Sequence, residues 1–196
     1  ELREQRRRQS TGKVHIVLFG EVSTGKSSLV NALLPQADAA SDARAGTTVE
    51  IQRYEWAAEG GDSVVISDLP GFNLDDDERI IQEARRAHLV VFLCDGDLTG
   101  SQAGQFARLQ RLAKPMIIAL NKMDRYEPTE AAAIIDRISK RTGIPKKDIV
   151  RISTGGREDV VRMLTDGSKT TVTLEHEADV TSLRKAIQRH LDENRG

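Results

Sequence analysis

Gly20-Glu21-Val22-Ser23-Thr24-Gly25-Lys26-Ser27 constrains this chain more than any other stretch. It lies between a continuous apolar run, Val14 to Phe19, and a segment of helical character, Lys26 to Leu34, closed by Pro35. The pattern G-x-x-x-x-G-K-[ST] does its chemistry only between a buried strand and a helix N-terminus. There the glycines let backbone N–H groups turn inward around phosphate, and the helix end adds its positive charge. Spacing assigns Gly20, Ser23, Thr24, Gly25, Lys26, Ser27 and Ser28 to the phosphates. Lys26 would bridge the β- and γ-phosphates, and the Ser27 hydroxyl would ligate Mg2+. The competing reading, a glycine-rich helix entry with no ligand, requires strand, loop and helix to coincide by chance.

The rest of the chain repeats the alternation. Val49 to Ala57 and Ser63 to Ser67 read as antiparallel strands joined through Glu59-Gly60-Gly61-Asp62. Leu89 to Cys94 and Met116 to Leu120 read as buried strands, and Ile149 to Ser153 as a last short one. Helices are expected over Glu78 to Ala87, Ser101 to Ala113 and Thr129 to Thr142. The last of these has Pro128 in its first turn and Ala132, Ile135 and Ile138 on one face. Strand–helix alternation of this kind predicts an α/β fold in three layers, with a mostly parallel six-stranded sheet and helices on both faces. Val160 to Leu164 and Thr170 to Leu174 flank Asp166-Gly167, so an extra β-hairpin, about 158–175, precedes the last helix. That helix, Thr181 to Asn194, carries Leu183, Ala186, Ile187, His190 and Leu191 on one face. Residues 1–12 read as a basic helical arm with Arg3, Arg6, Arg7 and Arg8, most simply a solvated leader; residues 13–196 form the one domain.

Composition removes several function classes. A net charge of −1 over 196 residues argues against broad nucleic-acid binding. Cys94 is the only cysteine, so there is no disulfide framework. His15, His88, His176 and His190 have no metal-ligand spacing to one another or to Cys94, and are read as structural. No apolar run is long enough to span a bilayer and no secretory pattern is present. A cytoplasmic chain is expected, or one held at a membrane by regions outside it; the start at Glu1 fits a piece of a longer protein.

Three further elements carry chemistry. Asn121-Lys122-Met123-Asp124 follows the Met116–Leu120 strand. The Asp124 carboxylate can accept two parallel hydrogen bonds, from guanine N1–H and the N2 amine, a donor pair adenine lacks. Asn121 would brace the loop and the Lys122 stem would pack on the ring. Ser153-Thr154-Gly155 would form a small loop whose backbone reaches guanine O6. Asp68-Leu69-Pro70-Gly71 ends the second strand of the hairpin pair: Asp68 would hold Mg2+ through water, and the Gly71 N–H would donate to the γ-phosphate. Arg44-Ala45-Gly46-Thr47-Thr48 ends a loop without periodicity; a hydroxyl here, Thr48 in preference to Thr47, would complete the Mg2+ shell in the triphosphate state.

Together these four elements, in this order, resemble the TRAFAC-class small GTPase domain. Thr-Thr-x-Glu, Asp-x-Pro-Gly-Phe and the loop ending Gly-Lys-Ser-Ser-Leu-Val-Asn-Ala-Leu are similar to the Era/TrmE-type, HSR1-related bacterial GTPases, over Val14 to Ser153. The hairpin and last helix look most like the members whose G domain precedes a membrane-associated region. The resemblance implies a P-loop G domain that binds GTP and GDP with Mg2+, hydrolyses GTP and acts as a molecular switch, with Lys26, Thr48 and Gly71 at the reacting phosphate. It also implies a protein effector or regulator, with a nucleotide-dependent dimer as one form of it. Two departures bear on rate. Potassium-using members carry Asn where Ser23 stands, which argues against K+ activation; the dynamin-type loop has Ser-x-Gly-Lys-Ser, as here, which keeps K+ or Na+ open. Ras-like enzymes place a water-orienting Gln where Phe72 stands. Asn73, Asp75-Asp76-Asp77, Arg44 or a partner's group remain as candidates, so slow intrinsic hydrolysis is expected. Two alternatives stay open: a scaffold module with negligible turnover, and a ribosome-assembly GTPase.

Overall fold

The computed structural model describes residues 13–21, 24–34, 51–57, 63–69 and 78–193. The basic arm, Ser23, Arg44, Thr47, Thr48, the turn at 59–62, Gly71, Phe72, Asn73 and the acidic run 75–77 all lie outside the described residues.

Strands β1 (Lys13–Phe19), β2 (Gln52–Ala57), β3 (Ser63–Asp68), β4 (Leu89–Cys94), β5 (Met116–Leu120) and β6 (Ile149–Arg151) form a six-stranded sheet. Its order is β2-β3-β1-β4-β5-β6, parallel except for the edge strand β2. Every residue of β4 and of β5 is buried, as two-sided coverage requires of apolar runs. Alternation along β4 assigns the faces. Val90, Phe92 and Cys94 join the core under helices α2 (Glu78–Arg86), α3 (Gly100–Gln110) and α4 (Pro128–Thr142). Leu89, Val91 and Leu93 join the core under α1 (Lys26–Leu33) and α5 (Thr181–Glu193). Phe92 meets Phe106 of α3 edge to face, with ring centres 5.2 Å apart. Because β1 is flanked by β3 and β4, the chain changes direction across the sheet at the carboxyl end of β1. That is where an open α/β sheet leaves a crevice for a ligand.

The helix ends follow their sequence signals. Thr99 and Gln102 close a capping box on α3. Pro128 occupies the first turn of α4, and Gly143 ends it at φ 75°. The buried face of α4 is Ala131, Ile134 and Ile138, rather than the Ala132, Ile135, Ile138 set expected. Apolar residues fill 131–135 without a break, so periodicity alone left the helix free to turn by one residue.

A buried polar cluster pins α2 to the sheet. Ser67 Oγ donates to Glu83 Oε1 at 2.9 Å, and Arg53 Nε donates to the same oxygen at 3.1 Å. His15 Nε2 lies 2.7 Å from Ser67 Oγ and 3.1 Å from Glu83 Oε1. Burial, the largest influence, pushes the Glu83 carboxyl up, but the bonds from Arg53 and Ser67 and the nearby positive charge hold it below its ordinary range. Burial likewise lowers His15, against the attraction of Glu83.

The hairpin differs most from expectation. The sixth strand stops at Arg151, two residues early, and Ser153 opens a second, separate sheet. Its strands β7 (Ser153–Met163) and β8 (Lys169–Asp179) are 11 residues each and antiparallel, much longer than the expected 158–175 unit. The added length is polar on both faces and so carries no apolar alternation to read. Cross-strand partners replace a core: Arg157 pairs with Glu175 at 2.8 Å, and Thr173 Oγ1 donates to Asp159 at 2.6 Å. At the tip, Leu164 N donates to Ser168 O, and Gly167 takes φ 80°, the left-handed step a three-residue hairpin loop needs.

Candidate functional site

The loop after β1 is curled by Thr24, which is buried and sends both its N–H and its hydroxyl to Glu21 O, at 3.3 and 2.8 Å. Gly20 has no room for a side chain: a Cβ there would lie 2.7 Å from Thr24 Oγ1 and 2.8 Å from Leu93 O. Gly25 takes φ 98°, and a Cβ on it would meet Asn121 Nδ2 at 2.5 Å. Lys26 folds back across this loop, donating from Nζ to Gly20 O at 2.7 Å and Glu21 O at 3.1 Å. Beside it Asp68 ends β3.

Lys26 and Asp68 act on each other. Burial lowers the Lys26 ammonium and raises the Asp68 carboxyl, and the opposite charge of each partly offsets both shifts. Asp68 Oδ1 is buried with no hydrogen-bond partner among the described residues. A buried carboxylate oxygen left without a donor, next to a phosphate loop and its lysine, fits a hard cation such as Mg2+. Asp68 and Ser27 are the described residues that would hold it.

At the base end Asn121 does the joining. Its Nδ2 donates to Thr24 O at 2.8 Å and Thr154 Oγ1 at 3.1 Å, and its Oδ1 accepts from Lys122 N at 2.8 Å and Thr154 N at 3.0 Å. One buried amide thus ties the phosphate loop to the strand after β6. Lys122 adopts φ 58°, and its Nζ pairs with Asp95 Oδ2 at 2.8 Å, which fixes its stem beside the cleft. Asp124 sits in a single 3₁₀ turn, Met123–Arg125, anchored by the bond from Met123 N to Ile152 O at 3.2 Å. Gly25, Ser28, Asn121, Lys122, Asp124, Ser153 and Thr154 line one cavity of about 210 Å³. The structure therefore brings together the residues that sequence assigned to the base, and Ser28 with them.

Two corrections concern the Ser153 segment. It is the first part of a strand, not a small loop. Ser153 Oγ donates to Glu177 O of β8 at 3.0 Å, and the Thr154 N–H is spent on Asn121. Gly155 and Gly156, at φ 71° and 125°, let β7 leave the site at an angle no L-residue favours. Arg125, Gly156, Arg157 and His176, none of them assigned from sequence, line the same cavity; His176 of β8, read as structural, has Nδ1 2.5 Å from Asp124 Oδ2. Nothing near position 176 signals this; only the pairing of Gly156 with His176 brings it to the base. Cys94 is buried, with its thiol pushed up to about 12 by burial, so it is not reactive. Among the described residues no cluster of three or more His, Cys, Asp or Glu could hold a metal. None of their helices is long and apolar enough to cross a membrane.

Comparison with known proteins gives the same picture. The chain is 30% identical over 126 residues to GTPase Der of Nautilia profundicola, covering 60% of this chain and 27% of Der. It is 30% identical over 169 residues to the probable GTP-binding protein EngB of Gemmatimonas aurantiaca, covering 76% of this chain and 80% of EngB. The crystal structure of Aquifex aeolicus Era bound to GDP.AlF4- shares the fold with a TM-score of 0.66 at 21% identity, over 91% of this chain and 56% of Era. The first curated relatives are longer proteins, of which this chain spans 27% to 38%. The profile of the family described as MMR_HSR1, 50S ribosome-binding GTPase, matches residues 15–122, more than half of the chain, and the chain accordingly belongs to that family as a GTP-binding GTPase domain.

Proposed function

We propose that this domain is a slow, Mg2+-dependent GTP switch whose hydrolysis is accelerated by a partner. One observation carries the reading: Asn121 bonds the phosphate loop through Thr24 O and the wall of the Asp124 cavity through Thr154 N, while Lys26 and the buried Asp68 attract each other beside that loop. Phosphate would lie against Lys26 and the loop N–H groups. Their positive charge offsets what develops on the transferred phosphoryl, the main catalytic contribution in this reaction class. Mg2+ would supply the remaining charge neutralisation, held by Ser27 and Asp68, with Thr48 as the expected third ligand and Gly71 at the γ-phosphate.

No described side chain stands ready to orient water, and Phe72 replaces the glutamine that does so in Ras-like chains. The missing group is assigned to a protein regulator or a second copy of the domain. A monovalent ion is a further candidate that a K+/Na+ substitution series separates. The cytoplasm, or the face of a membrane, is the proposed location.

The test is a binding panel of GDP, GTP, ATP and XDP on the protein and on Asp124→Asn, together with single-turnover hydrolysis. Guanine preference lost in favour of xanthine, with hydrolysis far below one turnover per second, is the expected result. Equal binding of ATP and GTP by the unaltered protein would defeat it. A role on the large ribosomal subunit is a second reading, resting on the family description. The net charge of −1 counts against direct RNA binding by this domain, and a ribosome pelleting assay decides it.

A further inference from the structure

His176 and the strand that bears it reach the cavity lined by Asn121, Lys122 and Asp124. Asp124 Oδ2 lies 2.5 Å from His176 Nδ1, and the two residues share the cavity with Asn121 and Ser28. An ionised carboxylate only accepts, so a contact this short places a proton on Nδ1, which donates. The carboxylate has about four lone-pair sites. His176 takes one on Oδ2, and guanine needs one on each oxygen, from N1–H and the N2 amine. The three donors fit together, and the first of them fixes the rotation of the carboxylate before the base arrives.

The backbone shows how His176 is held to this task. Ser153 Oγ donates to Glu177 O, one residue along, at 3.0 Å. Gly155 lies against β8 so closely that a Cβ would be 3.0 Å from His176 O and from Ala178 N. Opposite His176 stands Gly156, where a Cβ would meet nothing, leaving room beside the ring. The root of the hairpin is therefore fastened at the very residues that flank the base.

Resting on the guanine-site reading above, we infer that His176 is a positioning residue for guanine specificity, which orients the Asp124 carboxylate through Nδ1 and makes the β7–β8 hairpin part of the nucleotide site. The experiment compares GDP and IDP affinities of the unaltered protein, His176→Ala, His176→Asn and Asp124→Asn, with thermal melts of each. IDP keeps N1–H and lacks the N2 amine. His176→Ala is expected to weaken GDP about tenfold and IDP less, so that discrimination falls. His176→Asn places its amide nitrogen where Nδ1 was and is expected to restore most of both. Unchanged or tighter GDP binding in His176→Ala would overturn the inference, the latter by showing that the ring competes with the base. So would equal losses for GDP and IDP that Asn does not rescue, the signature of a merely structural role. If Asp124→Asn leaves guanine preference intact, the site reading itself fails; if it abolishes that preference while His176→Ala is silent, only the role of His176 fails.

Discussion

The six-stranded sheet and the two-stranded hairpin are built on opposite plans. In β4 and β5 every residue is buried between two helical layers. In β8 not one residue is fully buried, and exposed and half-exposed positions alternate along most of its length. The sheet is held by apolar contact on both sides, the hairpin by its own ladder and by side-chain pairs such as Arg157–Glu175. An isolated two-stranded ribbon is marginal in water. This one persists because its root is tied to the body of the domain by the two bonds between Thr154 and Asn121 and by the contact of His176 with Asp124. Stability thus belongs to the sheet, while the hairpin contributes geometry at the cleft.

The sharpest contrast is expected from the sheet. Phe92 is fully buried and packed edge to face on Phe106, so Phe92→Ala should cost about 3–5 kcal/mol in denaturant unfolding. A loss below about 1 kcal/mol would show that the core closes over the gap, and would weaken the division drawn between the two sheets.

The polar cluster under α2 gives the next effect, with a sign fixed by its shifts. Glu83 is held below its ordinary range in the fold, so its contribution is complete above the unfolded carboxylate pKa and is lost as pH falls through the folded one. His15 is lowered by burial, so below its ordinary 6.5 the unfolded chain binds protons more readily, and stability falls there as well. Both groups destabilise the fold in acid. A urea-unfolding series should show stability declining from about pH 6.5 downward. Glu83→Gln should cost about 1–3 kcal/mol at neutral pH and flatten the lower part of that decline. An unchanged slope would place the acid sensitivity elsewhere.

Legibility in the sequence divides along the same line. The sheet was readable because its inner strands are apolar runs, and the phosphate and base elements because each ends a strand. Lys26, Asp68, Asn121 and Asp124 could be placed at the ends of strands for that reason. What escaped was set by pairing rather than by pattern. The added root segments of the hairpin have no hydrophobic period, so neither its full length nor the arrival of His176 at Asp124 could be read. The face of α4 escaped because 131–135 is apolar throughout, so the choice between Ile134 and Ile135 fell to packing. Cys94 came out as expected, a buried small side chain.

Gly155 tests the fastening itself. Its φ of 71° and the 3.0 Å approach of β8 mean that Gly155→Ala brings both backbone strain and a backbone clash. About 1–2 kcal/mol is expected from the left-handed conformation alone. Its more telling effect should be on GDP, because the clash displaces the backbone of His176 and Ala178. Isothermal titration should show weaker GDP binding at a temperature where the variant is fully folded. GDP binding equal to the parent's would mean that β8 adjusts without moving His176.

At the far end of the hairpin the expected effect is smallest. Met163 is 74% exposed and Val161 60% exposed, on either side of Arg162, which faces Thr170 across the ladder. They lie near the tip, ten and eight residues along β7 from Ser153. Met163→Ser and Val161→Thr remove apolar surface that is already largely in water, so each should change stability by no more than about 0.5 kcal/mol. GDP affinity should not move, since neither residue lines the base cavity. A larger loss in either measurement would show that the hairpin's outer half packs on the domain, and would erase the contrast between a buried sheet that supplies stability and an exposed ribbon whose root alone shapes the site.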